Sequence, residues 1–198
     1  YTISHFFLRV PGPLDIFCQF LSMSANSLVG NTELISKVYF PRLIIPLSPI
    51  LAGLIDFFIA LVILFGMMFF YGLAPSPYII FFPVLTILMM MIAAGIGMWL
   101  AALNAQYRDV KYTVPFLIQL WMYASPIVYP SSMVPEKFRV LYGLNPMVGI
   151  IEGFRSILLG AAPFPFKLVG ISTIIAVLLL ISGALYFHRV ERYFADII

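Results

Sequence analysis

The residues able to do chemistry in this chain fall in five places. Glu33, Lys37 and Arg42 stand close together in ELISKVYFPRLIIP, with Tyr39 and Phe40 between the two cations and Pro41 directly before Arg42. Asp56 lies alone in a long apolar run. Tyr107, Arg108 and Asp109 follow Asn104 and Gln106 in a short polar break. Gln119, Trp121 and Tyr123 put an amide beside two aromatic rings. Asn145 and Pro146 precede a run carrying Glu152 and Arg155, whose i,i+3 spacing lets them pair on one helix face.

None of these groups is a reaction centre. His5 and His188 are isolated, and Cys18 is the one cysteine, which excludes an intrachain disulfide and a cysteine-based metal cluster. The chain has no phosphate-binding G-x-x-x-x-G-K-[ST] loop and no credible Ser/His/Asp grouping. The chemistry on offer is recognition by charge, amide and aromatic face. The sequence does not read as an enzyme.

The elements that position these residues are membrane spans. Of 198 residues, 63% are hydrophobic and 10% charged, and mean hydropathy is +1.06. A soluble domain carries about 25% charged residues, so lipid is the solvent here. Long apolar runs cover residues 47–71, 78–103 and 168–187. The first would rise about 37 Å, enough for a hydrocarbon core about 30 Å thick. A further span over 112–129 contains Pro115, Gln119 and Pro126, and a weaker apolar stretch covers 16–29. The net charge of +3 and pI near 9.0 point only weakly to nucleic acid, because excess Lys and Arg in a membrane protein gather in cytoplasmic loops.

The basic residues orient the spans. With 33–46 inside, 72–77 is outside, 104–111 inside, 130–167 outside and the tail inside. Lys37, Arg42, Arg108, Lys111, Arg189 and Arg192 then lie in short inner loops near span ends, against five cations on the outer side. The segment 130–163 is rich in proline and glycine yet holds a helix-like run too short and polar to cross. Irregular backbone at membrane depth is tolerated only under cover of protein or water, so a re-entrant pair of short helices is expected there.

Each candidate has a plain structural reading beside the functional one. The stripe Ala93, Gly97, Ala101 suits close helix packing, within the chain or between subunits. Asp56, expected near the inner end of its span, either reaches interfacial water or a basic partner, or serves function as embedded acids do. Trp99, Phe116, Trp121, Tyr123 and Tyr129 fit an interfacial belt or the lining of a route for sugar faces. Gln119 must face a helix or a cavity, since an amide in lipid is costly. Glu152 and Arg155 are a local pair or an outer gate.

Three stretches together resemble the membrane subunits of ABC-2-type exporters of polysaccharide, O-antigen or teichoic acid: NSLVGNTELISKVYFPRLIIPL (26–47), LNAQYRDVKYTVPFLIQLWMYASPIVYP (103–130) and LNPMVGIIEGFRSILLG (144–160). The resemblance covers about residues 21–198. It implies an all-α polytopic bundle, a six-helix fold lacking its first helix here, with re-entrant outer-face helices before the last span. It implies one transmembrane domain over 1–198, with 31–46 as a cytoplasmic coupling helix bearing Glu33, Lys37, Tyr39, Phe40 and Arg42. Tyr107, Arg108 and Asp109 would form an inner-face turn. Gln119, Trp121 and Tyr123 would line a channel, and Asn145, Pro146, Glu152 and Arg155 an outer gate.

The implied partners are an ABC ATPase, a second copy of the permease, membrane lipid and a glycan or glycolipid, with no nucleic acid. No cofactor would bind this chain; ATP and Mg would sit in the ATPase. The implied location is a bacterial inner or cytoplasmic membrane. Exporters of drugs or small lipids, and secondary transporters, are the competing readings; the latter usually carry several embedded ionisable residues, where this chain offers Asp56. Residues 1–20 are atypical for the family. The segment from Pro13 to Gln19 can be encoded by codons that, shifted by one base, read Pro-Trp-Thr-Phe-Phe-Ala-Asn, which suggests a frame shift or a fragment.

Overall fold

The computed structural model describes residues 12–31, 41–72, 76–107, 109–125, 144–160 and 163–192. Every regular element among them is helical: α1 (Pro13–Gly30), α2 (Ile44–Phe70), a 3-10 turn (Pro77–Phe81), α3 (Phe82–Gln106), α4 (Val110–Ala124), α5 (Pro146–Leu159) and α6 (Phe166–Glu191). The all-α polytopic expectation holds. Three of these helices, α2, α6 and α3 with its leading 3-10 turn, are long and apolar enough to cross a membrane, with mean hydropathies of 2.5–2.6.

Burial separates the centre from the periphery. Half of the most apolar window of α3 is buried, against 17% for α2 and for α6. α3 touches all five other α-helices. Small residues make this possible. Gly95 of α3 meets Gly183 of α6, and a Cβ added at Gly95 would stand 2.6 Å from the carbonyl carbon of Leu179. On another face of α3, Ala93, Gly97 and Ala101 are buried, with Gly97 against Ser24 of α1. The small-residue stripe packs within the chain.

α1 begins at Pro13, and Asp15 turns its carboxylate back to accept the Gly12 N–H at 2.9 Å. Its inner face carries Leu14, Phe17, Leu21, Ala25 and Leu28, all buried. This 3-4-4-3 spacing lays an apolar stripe along α3. Residues 13–20, set apart in the sequence as atypical, thus contribute Leu14, Ile16, Phe17 and Phe20 to the main core. The Ser24 hydroxyl donates to the Pro46 carbonyl at 2.7 Å and ties α1 to the start of α2.

α2 starts three residues before the expected span, at Ile44. Asp56 is therefore in the middle of its 27 residues, about 18 Å from the helix start, and not near that end as expected. α5 is 14 residues long, about 21 Å, too short to cross. It lies almost wholly buried against α3 and α6, with Gly149 on Leu168 and Ser172 and Gly153 on Leu85. Phe81 stacks on Phe164 (4.9 Å), and Phe82 meets Phe154 edge-on (5.0 Å). These rings, with the Ser76 N–H bonded to the Ile157 carbonyl at 3.0 Å, pin α5 to the end of the bundle where α3 begins.

The candidate site: two free faces and two tied ends

α4 is a 15-residue helix that packs against α1 and α3. Val114 and Ser125 are buried, and Ile118 and Trp121 half-buried, on its inward side. The Trp121 ring lies 6.1 Å from that of Phe17 on α1, and its indole N–H is buried with no partner among the described residues. Tyr112 (79% exposed), Phe116 (62%), Gln119 and Tyr123 (69%) follow a 4-3-4 spacing on the outward side. The three residues expected to line one channel therefore divide. Gln119 and Tyr123 share the free face, and Trp121 turns inward.

α1 has a free face of the same kind. Asp15 and Gln19 are exposed and Ser22 and Asn26 half-buried, again at 4-3-4 spacing, flanked by Met23. The sequence reading passed over this stripe. Its signal is plain in the alternation of polar 15, 19, 22, 26 with apolar 14, 17, 21, 25. α2 and α6 differ: their free faces are Leu51, Ile55, Phe58, Val62 and Ile174, Leu178, Ile181, Leu185. Asp56 is the exception on α2, exposed and without a hydrogen bond or ion pair among the described residues.

A cleft of about 480 Å³ opens between α3, α4 and the start of α5, lined by Ile96, Leu100, Leu120, Trp121, Asn145 and Pro146, among others. It brings together Trp121, expected in the channel, and Asn145 and Pro146, expected at the gate. Asn145 caps α5, its side-chain oxygen accepting the Met147 N–H at 3.1 Å. Its Nδ2 donates to the Ser125 hydroxyl (3.1 Å), which in turn donates to the Trp121 carbonyl (2.9 Å). One amide thus joins the end of α4 to the start of α5. Glu152 and Arg155 form the expected local pair on α5 at 2.9 Å, their side chains largely shielded.

At the opposite end of the bundle, the Arg42 guanidinium donates to the Glu191 carbonyl at 2.9 Å. That carbonyl belongs to the last turn of α6, where a cation also meets the negative end of the helix dipole. Tyr186 donates its hydroxyl to the Gln106 oxygen (3.3 Å), and Trp99 stacks on Tyr186 at 4.2 Å while its N–H reaches Ser182 (3.3 Å). Trp99 clamps α3 to α6. Asn104 is buried and donates to the Ala25 carbonyl at 2.9 Å and to the Asn26 side chain at 3.4 Å. Tyr107 and Asp109 are exposed in the short turn before α4. Arg42, Gln106 and Glu191 thus share one end, and Ser76 and Ile157 the other, which is the grouping of loops expected from the alternation of spans. Glu33, Lys37, Tyr39, Phe40, Arg108 and Tyr129 lie outside the described residues.

A family model described as ABC-2 type transporter matches residues 16–159. This chain belongs to the ABC-2 type transporter family. Among curated proteins, the O-antigen export system permease protein RfbA of Klebsiella pneumoniae is 30% identical over 183 residues, 90% of this chain and 70% of that protein. A second Klebsiella pneumoniae RfbA is 28% identical over the same shares. The Myxococcus xanthus RfbA is 26% identical over 172 residues, 85% of this chain and 66% of that one. The family match takes in α1 from Ile16 through the end of α5, so in this ABC-2 chain the α4 face, the cleft and the α1 face apart from Asp15 lie inside the matched region.

Proposed function

We propose that this chain is the membrane-spanning permease of an ATP-driven exporter that passes a polysaccharide or lipid-linked glycan, of O-antigen, teichoic-acid or capsule type, across a bacterial inner or cytoplasmic membrane. The observation that carries the reading is the free face of α4. Tyr112, Phe116, Gln119 and Tyr123 stand exposed on a helix of a membrane bundle whose lipid-type faces lie elsewhere, on α2 and α6. Aromatic faces meet the apolar faces of sugar rings, and an amide both donates to and accepts from hydroxyls.

In this reading two copies of the chain enclose the conduit, the α4 faces line it, and α5 with Glu152 and Arg155 closes its outer end as part of the re-entrant segment 130–163. The chain carries out no catalysis and binds no cofactor; a separate ABC ATPase holds ATP and Mg. Segment 31–46 meets that ATPase, with Glu33, Lys37, Tyr39 and Phe40 as contacts and the turn at Tyr107, Arg108 and Asp109 beside it. Arg42 has a second part. Its bond to the end of α6 offers a direct path from the coupling segment into the bundle, because a displaced Arg42 must either pull α6 or release it. The two states such switching requires would differ in this contact.

The test is export itself. Cells lacking the permease should accumulate glycan inside and lose it from the surface, and Tyr123→Ala should reduce surface glycan while leaving permease level and ATPase copurification unchanged. Unchanged surface glycan in the null strain overturns the reading.

A further inference from the structure

The free face of α6 changes character once along its length. Leu178, Ser182, Leu185, Arg189 and Arg192 follow a 4-3-4-3 spacing, so they stand in one row down the helix. Leu178 and Leu185 are exposed with Ile181 beside them, and the two arginines that end the row are exposed as well. Ser182, the polar member of the apolar part, is engaged within the bundle. Its hydroxyl donates to the Leu179 carbonyl at 3.1 Å and accepts the Trp99 N–H at 3.3 Å. The row is therefore aliphatic from the middle of the helix and cationic at its end.

The depth of this change matches one leaflet of a bilayer. Leu178 lies at the middle of the 26 residues of α6. From there to Arg189 the helix rises about 16 Å, against about 15 Å for half of a hydrocarbon core. The stacked pair of Trp99 and Tyr186 comes just before Arg189, at the level where such amphipathic rings gather. With the aliphatic part in hydrocarbon, both arginines stand at the depth of the headgroups.

Their charge is not used within the bundle. Arg42 donates to the Glu191 carbonyl, and the Glu191 carboxylate faces His188 at 3.5 Å. Arg189 and Arg192 make no ion pair or hydrogen bond with any described residue. At i,i+3 their Cβ atoms are about 5–6 Å apart, so two guanidinium forks can close on one phosphate.

We propose that Arg189 and Arg192 hold the phosphate of an anionic phospholipid in the leaflet at this end of the bundle, with its acyl chains along Leu178, Ile181 and Leu185. Charge and shape select this occupant together. Two adjacent cations without an acid call for an anion, and the aliphatic part of the row calls for hydrocarbon and no hydrogen bond. A free phosphate would meet the first demand and not the second. The opposite end of α6 offers Lys167, a single ammonium, and gives such a lipid a weaker hold. The site does not depend on what the exporter carries.

Native mass spectrometry of the full-length permease tests the site, with the protein released from micelles holding equimolar dioleoyl phosphatidylglycerol and dioleoyl phosphatidylcholine. The wild-type chain should retain the anionic lipid in preference to the zwitterionic one. Arg189→Gln with Arg192→Gln should lower that preference about thirtyfold, about fivefold from each arginine. Lys167→Gln, which removes a cation from the other end of the same helix, should lower it less than twofold. All three positions are exposed, so the variants should fold as the wild type does, which circular dichroism checks. Equal retention of the two lipids by the wild type overturns the proposal, because protein then covers the face. An undiminished preference in the folded double variant overturns it too, since other cations then hold the lipid. Displacement of the lipid by equimolar glycerol 3-phosphate has the same consequence, because the face would then read the phosphate alone.

Discussion

The free face of α4 and the free face of α6 belong to helices of one bundle and are built of different materials. α6 turns Ile174, Leu178, Ile181 and Leu185 outward, whereas α4 turns the row Tyr112, Phe116, Gln119 and Tyr123 outward, with Leu117 and Leu120 exposed beside it. Both helices pack on α3. The difference is therefore not one of burial within the chain but of what each face must meet outside it. Aliphatic side chains lose nothing in hydrocarbon, and an amide and phenols do. Exposure in a membrane protein thus has two meanings, and the chemistry of the exposed side chains distinguishes them.

The sharpest way to break the comparison is to put a charge on each face. Leu178→Lys, at the middle of α6, should cost about 3 kcal/mol of insertion and deplete the folded permease in membranes. Gln119→Lys should insert normally and block export. Equal tolerance at both positions, read by protein level and protease resistance, would erase the distinction.

Within α4, Trp121 and Tyr123 sharpen it further. Trp121→Ala removes a half-buried ring packed on Phe17 and should destabilise the bundle by about 2–3 kcal/mol, below the cost for a fully buried tryptophan. Tyr123→Ala, at a 69% exposed site, should leave stability within about 0.5 kcal/mol. Melting curves of the purified exporter in detergent check both. Coincident large losses would place Tyr123 in a packed interface.

Asp56 tests the lipid face of α2 from the other side. If that face meets lipid, Asp56→Leu should raise insertion efficiency, since an embedded carboxylate costs about 2.5 kcal/mol or more. A fall in level would show that Asp56 has a partner on another chain. The tied end offers a local test. Arg42→Ala removes one charge-assisted bond to the α6 terminus, worth about 1.5–3 kcal/mol when well shielded. It should speed hydrogen exchange in the last turn of α6 more than it shifts the melting temperature.

Much of this was legible in the residues. Hydropathy placed the three long spans to within a few residues, because a run of that length has no other stable environment. The i,i+3 spacing gave the Glu152–Arg155 pair, and the alternation of spans gave the two groups of loops. Other features depended on contacts far apart in sequence. Gln119, Trp121 and Tyr123 look alike as a motif, yet the ring of Phe17, about a hundred positions away, takes Trp121 inward and leaves the others out. The depth of Asp56 followed from where α2 starts, three residues ahead of the expected span.

By itself, then, the sequence determined that this chain lives in lipid, where its helices run, and which family it belongs to, because composition, apolar run length and local motifs are properties of contiguous residues. The tertiary structure alone decided which side of each helix is spent on the bundle. That choice depends on the close approaches at Gly95 and Gly183 and on the fit of α1 against α3 and α4. It also decided that Arg42 holds the end of α6 and that Asn104 backs Asn26. Such pairings arise only when the chain has folded, since a hydrogen bond across the bundle leaves no periodic trace along it.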